Sequence, residues 1–285
     1  MVKLMMVDVP TLLSFVFMLL SLGVIAGFLA GLLGVGGGMV LVPGLFYILS
    51  IMQERMGFDA SYIMHICVGT SLAIIVPTGL ASAWAHYKRG AVDLNLVRRI
   101  GVGIVFGVFL STYVVGGFDG RTLKMIFAGA LPIFAGLMIM GRGRFQSECD
   151  VENLSPVRHG LAGVVIGALS TMIGIGGATL SVPYMSMNGV LMHRAIGTAS
   201  ALGLVIAVPA SIGFMVIGWG QVNMPPFSLG YVNVMAWACV IPASVLVAPI
   251  GARVTHKIQV KPLRIGFAVF MVLVALNMWR KILMG

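Results

Sequence analysis

Three long stretches of the chain contain no charged side chain. Asp, Glu, Lys and Arg are absent from residues 9–53, 60–87 and 195–252. Each stretch is longer than the roughly 20 residues that a helix needs to cross the hydrocarbon core of a membrane. The pattern therefore predicts an all-α polytopic membrane protein, and it excludes a soluble enzyme.

The chain also contains a duplicated unit of about 140 residues, seen most clearly where GVGGGMVLVP at 34–43 recurs as GIGGATLSVP at 174–183. Four further blocks recur in the same order: Gly23, Gly27 and Gly31 with Gly163, Gly167 and Thr171; Met64, His65 and 69–71 with Met192, His193 and 197–199; GAVD at 90–93 with GQVN at 220–223; and Leu123, Lys124, Phe127 and Ala128 with Leu263, Arg264, Phe267 and Ala268. We therefore divide the chain into a first membrane repeat at 1–140, a linker at 141–159 and a second membrane repeat at 160–285.

Each repeat contains about five apolar segments. They lie roughly at 11–33, 38–52, 62–87, 94–116 and 121–140, and at 157–173, 178–191, 195–218, 229–252 and 262–283. The second segment of each repeat has only 15 or 14 residues, and a glycine cluster joins it to the first. Such a pair is either two tilted spans or two half-helices, broken or re-entrant, that meet near the membrane midplane. Interrupted segments at matching places in two repeats indicate the binding site of a transporter.

Basic residues at the segment ends predict the orientation. With five crossings per repeat, 12 Lys and Arg residues fall on one side of the membrane and 6 on the other. Because cytoplasmic loops carry the excess of basic residues, the linker is expected in the cytoplasm and both termini outside. If each glycine-joined pair made one crossing instead, the count would be 10 against 8 and would not decide the orientation. Equivalent loops of the two repeats have opposite basic bias, which predicts inverted repeats. The net charge of +10 therefore indicates membrane topology rather than nucleic-acid binding.

The glycine clusters are the first candidates for substrate binding. The predicted set is Gly36, Gly37 and Gly38 in the first repeat and Gly176, Gly177 and Ala178 in the second. Glycine lets backbone N–H groups approach a ligand, and the helix that follows presents the positive end of its dipole, which favours an anion. We expect Gly36 and Gly37 to face Gly176 and Gly177. The alternative is that these glycines only permit close helix packing, as expected for Gly23 and Gly27.

Hydroxyl and imidazole groups near the start of the third segments are further candidates. Thr70, Ser71, Thr198 and Ser200 are predicted to donate hydrogen bonds to an anion, or else to bond carbonyl groups of their own helices. His65 and His193 occupy equivalent positions and are candidates for a proton relay. The alternative for both histidines is a cap at the membrane interface.

The second repeat of the chain lacks carboxylates altogether. No Asp or Glu occurs from residue 153 to residue 285. Transporters of cations and protons usually need carboxylates inside the membrane, whereas amides, hydroxyls and basic groups suit an anion. The three cysteines match no metal or redox spacing, and the sequence predicts no catalytic residue, metal site or cofactor.

The paired motifs resemble the sulfite exporter TauE/SafE family of membrane transporters. They are GFLAGLLGVGGGMVLVP and GALSTMIGIGGATLSVP, followed by GTS at 69–71, GTAS at 197–200 and a Gly-x-Val-Asp/Asn turn. The resemblance implies transport, usually export, of small sulfur-containing anions such as sulfite, thiosulfate or C2 sulfonates across the cell inner (plasma) membrane, without a prosthetic group. The second repeat departs from the pattern with Ala178 where the first has Gly38.

We therefore expect a secondary transporter, a probable exporter, that binds a small anion between its repeats. The alternative within transport is a channel-like pore or an uptake permease for another small inorganic or carboxylate anion. An intramembrane enzyme and a structural assembly subunit are the alternatives from other classes. The expected partners are the anionic substrate and membrane lipid, with no nucleic acid, and a homo-oligomer is compatible with the sequence.

Overall fold

Ten α-helices and one short β-hairpin form the part of the chain that the computed structural model describes, which comprises residues 8–33, 37–140, 155–255 and 260–284. The elements are α1 (Val9–Leu33), α2 (Gly38–Met56), a 3-10 helix (Ala60–Tyr62), α3 (Ile63–Lys88), α4 (Leu94–Gly116), α5 (Gly120–Met140), α6 (Pro156–Ile173), α7 (Ala178–Met187), α8 (Met192–Ile217), β1 (Ser228–Leu229), β2 (Val232–Asn233), α9 (Val234–Thr255) and α10 (Val260–Met284). The two strands pair antiparallel. Residues 141–154 of the predicted linker lie outside the described residues.

Within the described ranges, nine helices are long and apolar enough to cross a membrane. The prediction of a polytopic α-helical membrane protein is therefore confirmed. The exception is α7, whose 10 residues rise only about 15 Å. This length is about half of a hydrocarbon core.

The two helices that follow the glycine clusters differ in length more than the sequence predicts. The first was expected over 38–52, but α2 continues through polar residues to Met56 and ends at Gly57, where φ is +63°. The second was expected to reach residue 191, but α7 ends at Met187. The side-chain amide of Asn188 donates to the carbonyl of Tyr184 at 2.6 Å, and Gly189 with φ +87° then turns the chain.

Short polar side chains set the start of several helices. Asp93 accepts hydrogen bonds from the amides of Asn95 and Leu96 at the start of α4, and Asp119 accepts one from Thr122 in α5. The hydrogen bonds from Thr122 hold the pKa of Asp119 below its ordinary value. These carboxylates therefore cap helices at the ends of the bundle.

Glycine faces bring two pairs of helices into backbone contact. A Cβ at Gly107 of α4 would overlap the carbonyl oxygen of Val164 and lie 2.9 Å from the amide nitrogen of Ala168 in α6. In the same way, a Cβ at Gly23 of α1 would lie 2.8 Å from the carbonyl oxygen of Val240 in α9. Gly23 is thus a packing glycine, as expected from its spacing.

The helices at the centre of the bundle run antiparallel. Gly69 near the start of α3 contacts Phe214 near the end of α8, and Gly79 further along α3 contacts Leu204 earlier in α8. Likewise, α5 packs against α10, and Arg121 in its first turn donates to the carbonyl of Ile282 in the last turn of α10.

The connections lie at two opposite ends of the bundle. We call the end with residues 57–62, 117–119 and 218–227 the first end, and the end with residues 88–93 and 188–191 the second end. At the first end the Tyr62 hydroxyl bonds the side chain of Gln221 at 3.0 Å. At the second end Arg194 forms an ion pair with Asp93 at 3.3 Å. The basic-residue pattern predicts that the second end is cytoplasmic.

The packing of α4 on α6 gives a stability prediction. Gly107→Ala should lower the free energy of unfolding by about 1–3 kcal/mol, because the methyl group forces the two helices apart. Gly129→Ala in α5 is the matched control, because a Cβ there has no neighbour within 4 Å. This control should be neutral or stabilising by up to about 1 kcal/mol. Thermal unfolding of the purified proteins measures both, and equal midpoints for the two variants would contradict the packing described here.

Candidate functional site

The two glycine segments meet inside the protein. A Cβ at Gly38, the first residue of α2, would lie 2.8 Å from the carbonyl oxygen of Gly174 and 2.9 Å from the Cα of Ile175. Gly174 has φ +73°, and a Cβ there would lie 3.0 Å from the Cα of Val68 in α3. The backbones of α2, α3 and the α6–α7 connection are therefore in direct contact, with no room for side chains.

This meeting point is at the middle of the helix bundle. Ile75, at the midpoint of α3, lies 3.2 Å from the Cβ position of Gly38 and 3.4 Å from that of Gly176. Gly203 and Ile206, at the middle of α8, lie beside Gly177. The short helix α7 thus begins deep inside the bundle and runs towards the second end.

The details of the glycine contact differ from the sequence prediction. Gly36 lies outside the described residues. At Gly37 a Cβ would contact only Leu41 of its own helix, so this position does not oppose the second glycine segment. The close backbone contact between the two glycine segments is made by Gly38 and Gly174 instead. It forms because α2 begins at Gly38 and this residue faces the second repeat.

Four buried hydroxyl groups lie on the last turn of α6 and the first turn of α7, on either side of the α6–α7 connection in the chain. They belong to Ser170, Thr171, Thr179 and Ser181, which are 0%, 0%, 9% and 0% exposed. None of these hydroxyl oxygens has a hydrogen-bond partner among the described residues. Buried polar groups are normally hydrogen-bonded, so four unpartnered hydroxyls around one connection indicate a place for a polar ligand or water.

None of these four residues belongs to the set predicted from the sequence, although the sequence distinguishes them. At the repeat offset of 140 residues, their counterparts are Ala30, Gly31, Met39 and Leu41. The hydroxyls are therefore a property of the second repeat alone. A comparison of polar residues between the repeats, rather than of shared motifs, would have found them.

The N-terminus of α7 directs further donors to the same place. The carbonyl of Gly177 accepts from the amides of Leu180 and Ser181, whereas the amides of Ala178 and Thr179 have no partner among the described residues. The Ser181 hydroxyl lies 3.4 Å from the Cβ position of Gly177. Gly203 of α8 lies opposite Gly177. A Cβ at Gly203 would have only the Gly177 nitrogen within 4 Å, at 3.9 Å, so there is open space beside the Gly177 amide. Free amides, hydroxyls and the positive end of the helix dipole together suit an oxyanion.

Thr70 and Thr198 perform the same structural task in the two repeats. The Thr70 hydroxyl accepts a hydrogen bond from the amide of Asn233 at 2.9 Å, and the Thr198 hydroxyl accepts one from the amide of Asp93 at 3.0 Å. Both threonines are fully buried. Each third helix of a repeat (α3 or α8) thus holds the start of the fourth helix of the other repeat (α9 or α4), and we call these two bonds the reciprocal brace.

The reciprocal brace corrects one block of the sequence repeat. GAVD at 90–93 was paired with GQVN at 220–223, but its structural counterpart is GYVN at 230–233. Gly197 packs against the carbonyl of Ala91, and Gly69 packs against the carbonyl of Tyr231 in the same way. The pairing was wrong because residues 218–233 connect α8 to α9, whereas only 89–93 connect α3 to α4.

The two predicted serines bond carbonyl groups in this structure. The Ser71 hydroxyl donates to the carbonyl of Gly174 at 2.9 Å and so joins α3 to the α6–α7 connection. The Ser200 hydroxyl donates to the carbonyl of Gly197 in its own helix at 2.6 Å. A binding role for Thr70, Ser71, Thr198 and Ser200 stays a prediction.

The two histidines are in different environments because the neighbouring loops differ. His65 is 3% exposed and stacks on Tyr231 with ring centroids 4.8 Å apart, and its Nδ1 has no partner among the described residues. His193 is exposed, because Ala91 occupies the position equivalent to Tyr231. Burial raises the pKa of the Tyr231 phenol, which therefore stays neutral. Of the two predicted relay residues, only His65 is enclosed by protein, and a relay role stays a prediction for both.

The chain has relatives among known membrane proteins. The family model described as sulfite exporter TauE/SafE matches residues 19–278. The chain belongs to this family. The chain is also similar to a "Probable membrane transporter protein" of Haemophilus influenzae, with 35% identity over 94% of this chain and 99% of the relative. The "Probable membrane transporter protein YunE" of Bacillus subtilis is 25% identical over 92% of this chain and 96% of its own length.

Membership of the TauE/SafE family establishes the general function. The relatives are named as membrane transporters, and their alignments cover nearly the whole chain. Together with the nine apolar helices of the described residues, this identifies a multi-pass membrane transporter rather than an enzyme.

The reciprocal brace of this TauE/SafE protein gives a second stability prediction. Thr198→Val should lower the free energy of unfolding by about 1–3 kcal/mol, because the buried amide of Asp93 loses its acceptor. Thr78→Val is the matched control, since the Thr78 hydroxyl bonds only its own helix, at the carbonyl of Ile74. Thermal unfolding compares the two. If Thr198→Val unfolds at the wild-type temperature, the hydroxyl does not brace α4.

Proposed function

We propose that this protein is a secondary transporter, an exporter of small sulfur-containing anions such as sulfite or C2 sulfonates. The observation that carries the proposal is the group of unpartnered hydroxyls at the buried start of α7. Family membership supports transport, and the family description names sulfite export. The donors at the α6–α7 connection supply a reason for the class of substrate.

The chemistry of this place favours an oxyanion over a cation. Amide and hydroxyl groups donate hydrogen bonds, and a sulfite or sulfonate group offers three acceptor oxygens to them. Hydrogen bonds to a charged group are about twice as strong as those between neutral groups. The second repeat has no carboxylate that would repel the anion or attract a cation.

We place the substrate closer to the second repeat than to the first. Thr179, Ser181 and the amides of Ala178 and Thr179 all belong to α7. The equivalent positions of α2 carry Met39 and Leu41, whose side chains have no hydroxyl group to donate. Gly38 of the first repeat closes the opposite side through its contact with Gly174. The anion therefore binds between the repeats, but the second repeat provides most of its hydrogen bonds.

We further propose that the two repeats are inverted and that the glycine-joined helices are re-entrant. This is supported by the antiparallel packing of the equivalent helices α3 and α8, and of α5 and α10. It is also supported by the reciprocal brace, in which a threonine of each repeat bonds the equivalent amide of the other repeat. Two such halves can expose one central site alternately to the two sides of the membrane.

A carrier agrees with this arrangement better than a channel does. The backbone contact between Gly38 and Gly174 closes the centre of the bundle in this conformation. Passage of an anion then requires the repeats to move relative to one another. A carrier of this kind shows saturable flux and counterflow in vesicles, whereas a channel shows neither.

The site is tested by removing its hydroxyls. The double variant Ser181→Ala/Thr179→Val should need at least about tenfold more sulfite or sulfoacetate for half-maximal thermal stabilisation and for transport into vesicles, since each bond to a charged group contributes about 1.5–3 kcal/mol. Ser211→Ala is the matched control, because this buried hydroxyl bonds the carbonyl of Val208 in its own helix.

Two outcomes would contradict the proposal. One is wild-type binding and transport by the double variant. The other is an equal loss in Ser211→Ala, because that hydroxyl is already bonded within α8. Elution of each variant as a single species in gel filtration ensures that the comparison reports on binding rather than on folding.

A further inference from the structure

A basic pocket lies at the first end of the bundle, away from the glycine segments. It has a volume of about 290 Å³ and is formed by α2, the start of α3, the start of α5 and the end of α10. Its charged lining residues are Arg121, Lys124, Lys281 and Asp119. The pocket thus combines three cations with one carboxylate, a balance that favours an anionic ligand.

The two lysines converge on one aromatic ring. The ammonium nitrogen of Lys124 lies 5.4 Å from the centroid of the Phe46 ring, and that of Lys281 lies 5.7 Å from the same centroid. Lys281 is also 5.5 Å from the ring of Tyr47. Cation–π contacts hold both ammonium groups over the pocket, although like charges repel each other there.

The carboxylates of the described residues neutralise these cations only in part. Within the described ranges the one ion pair under 4 Å joins Arg194 and Asp93 at the opposite end of the bundle. Asp119 lines the pocket, where it caps α5 through the amide of Thr122 and offsets part of the charge of Arg121. Arg121 is fixed by its bond to the carbonyl of Ile282, which places its guanidinium at the pocket. The positive charge of Lys124 and Lys281, which form no ion pair among the described residues, attracts a mobile anion.

We propose that this pocket binds an oxyanion of the phosphate or sulfonate class through Lys124 and Lys281. The positive end of the α5 dipole at Gly120 adds to the attraction. The pocket adjoins α10, whose last residues Leu283 and Met284 are 79% and 81% exposed. The oxyanion is therefore either the headgroup of an anionic phospholipid or a free anion from solution.

The pocket is separate from the proposed transport site. Eight residues of α2 connect Gly38 to Phe46, which corresponds to about 12 Å along the helix. Binding at the pocket uses lysines, whereas binding at α7 uses hydroxyls and amides. Loss of one therefore leaves the other intact, and the two proposals fail independently.

The test compares two ligands on the purified full-length protein. In one arm, mixed micelles contain phosphatidylglycerol or phosphatidylcholine. In the other arm, sodium sulfate replaces sodium chloride at equal ionic strength. Wild type should be stabilised by phosphatidylglycerol, by sulfate or by both. Lys124→Gln/Lys281→Gln should weaken the apparent affinity for the stabilising probe about tenfold or more.

Two variants control for charge and for folding. Arg280→Gln removes one positive charge beside Lys281 but not from the lining of the pocket, and it should respond as wild type does. Lys124→Arg/Lys281→Arg keeps the charges and should bind.

The arms identify the source of the oxyanion. A loss confined to phosphatidylglycerol assigns the pocket to a lipid headgroup, and a loss confined to sulfate assigns it to a free anion. Losses in both arms show that either source supplies the ligand. The proposal is overturned if wild type responds to neither probe, if Lys124→Gln/Lys281→Gln responds as wild type does, or if Arg280→Gln loses as much affinity.

Discussion

The architecture depends on the contact between two irregular backbone segments in the middle of the bundle. In hydrocarbon, a backbone that leaves the helix must be buried in protein or line a cavity, because lipid offers its N–H and C=O groups no partner. Here Gly38 lies against Gly174 and Ile175, and the midpoints of α3 and α8 enclose them. Only glycine permits this approach, so the helix ends are protected without side chains. The enclosed α7 N-terminus then becomes a buried source of hydrogen-bond donors.

The reciprocal brace explains how the two repeats hold each other around that contact. Thr70 and Thr198 each bond the residue that directly precedes a helix of the other repeat. Although the helices of the two repeats are braced in the same way, the side chains at equivalent positions differ. Tyr231 covers His65 where Ala91 leaves His193 exposed, and α7 carries hydroxyls where α2 carries Met39 and Leu41. The helical frame is therefore duplicated, whereas the hydroxyl donors belong to the second repeat alone.

Much of this frame could be predicted from the sequence, because the apolar segments indicate the helices and the repeated glycine motifs indicate the two repeats. The segments expected to begin at residues 94 and 121 begin at Leu94 and Gly120. The counterpart of GAVD at 230–233 was missed because it lies in a β-hairpin at the end of a connection much longer than that between α3 and α4. The end of α7 depends on one contact between Asn188 and Tyr184, which composition does not reveal. The basic pocket joins Phe46, Lys124 and Lys281 from helices far apart in the chain, so only the folded structure places them together.

The central claim is that a small oxyanion binds at the start of α7 between the repeats. Crystals grown with 2-bromoethanesulfonate test it most directly, because the bromine of this C2 sulfonate gives an anomalous signal. We expect an anomalous peak beside Gly177, with the sulfonate oxygens within hydrogen-bond distance of the Thr179 and Ser181 hydroxyls. Anomalous peaks confined to other places, such as the basic pocket at Lys124 and Lys281, with none beside α7, would contradict it.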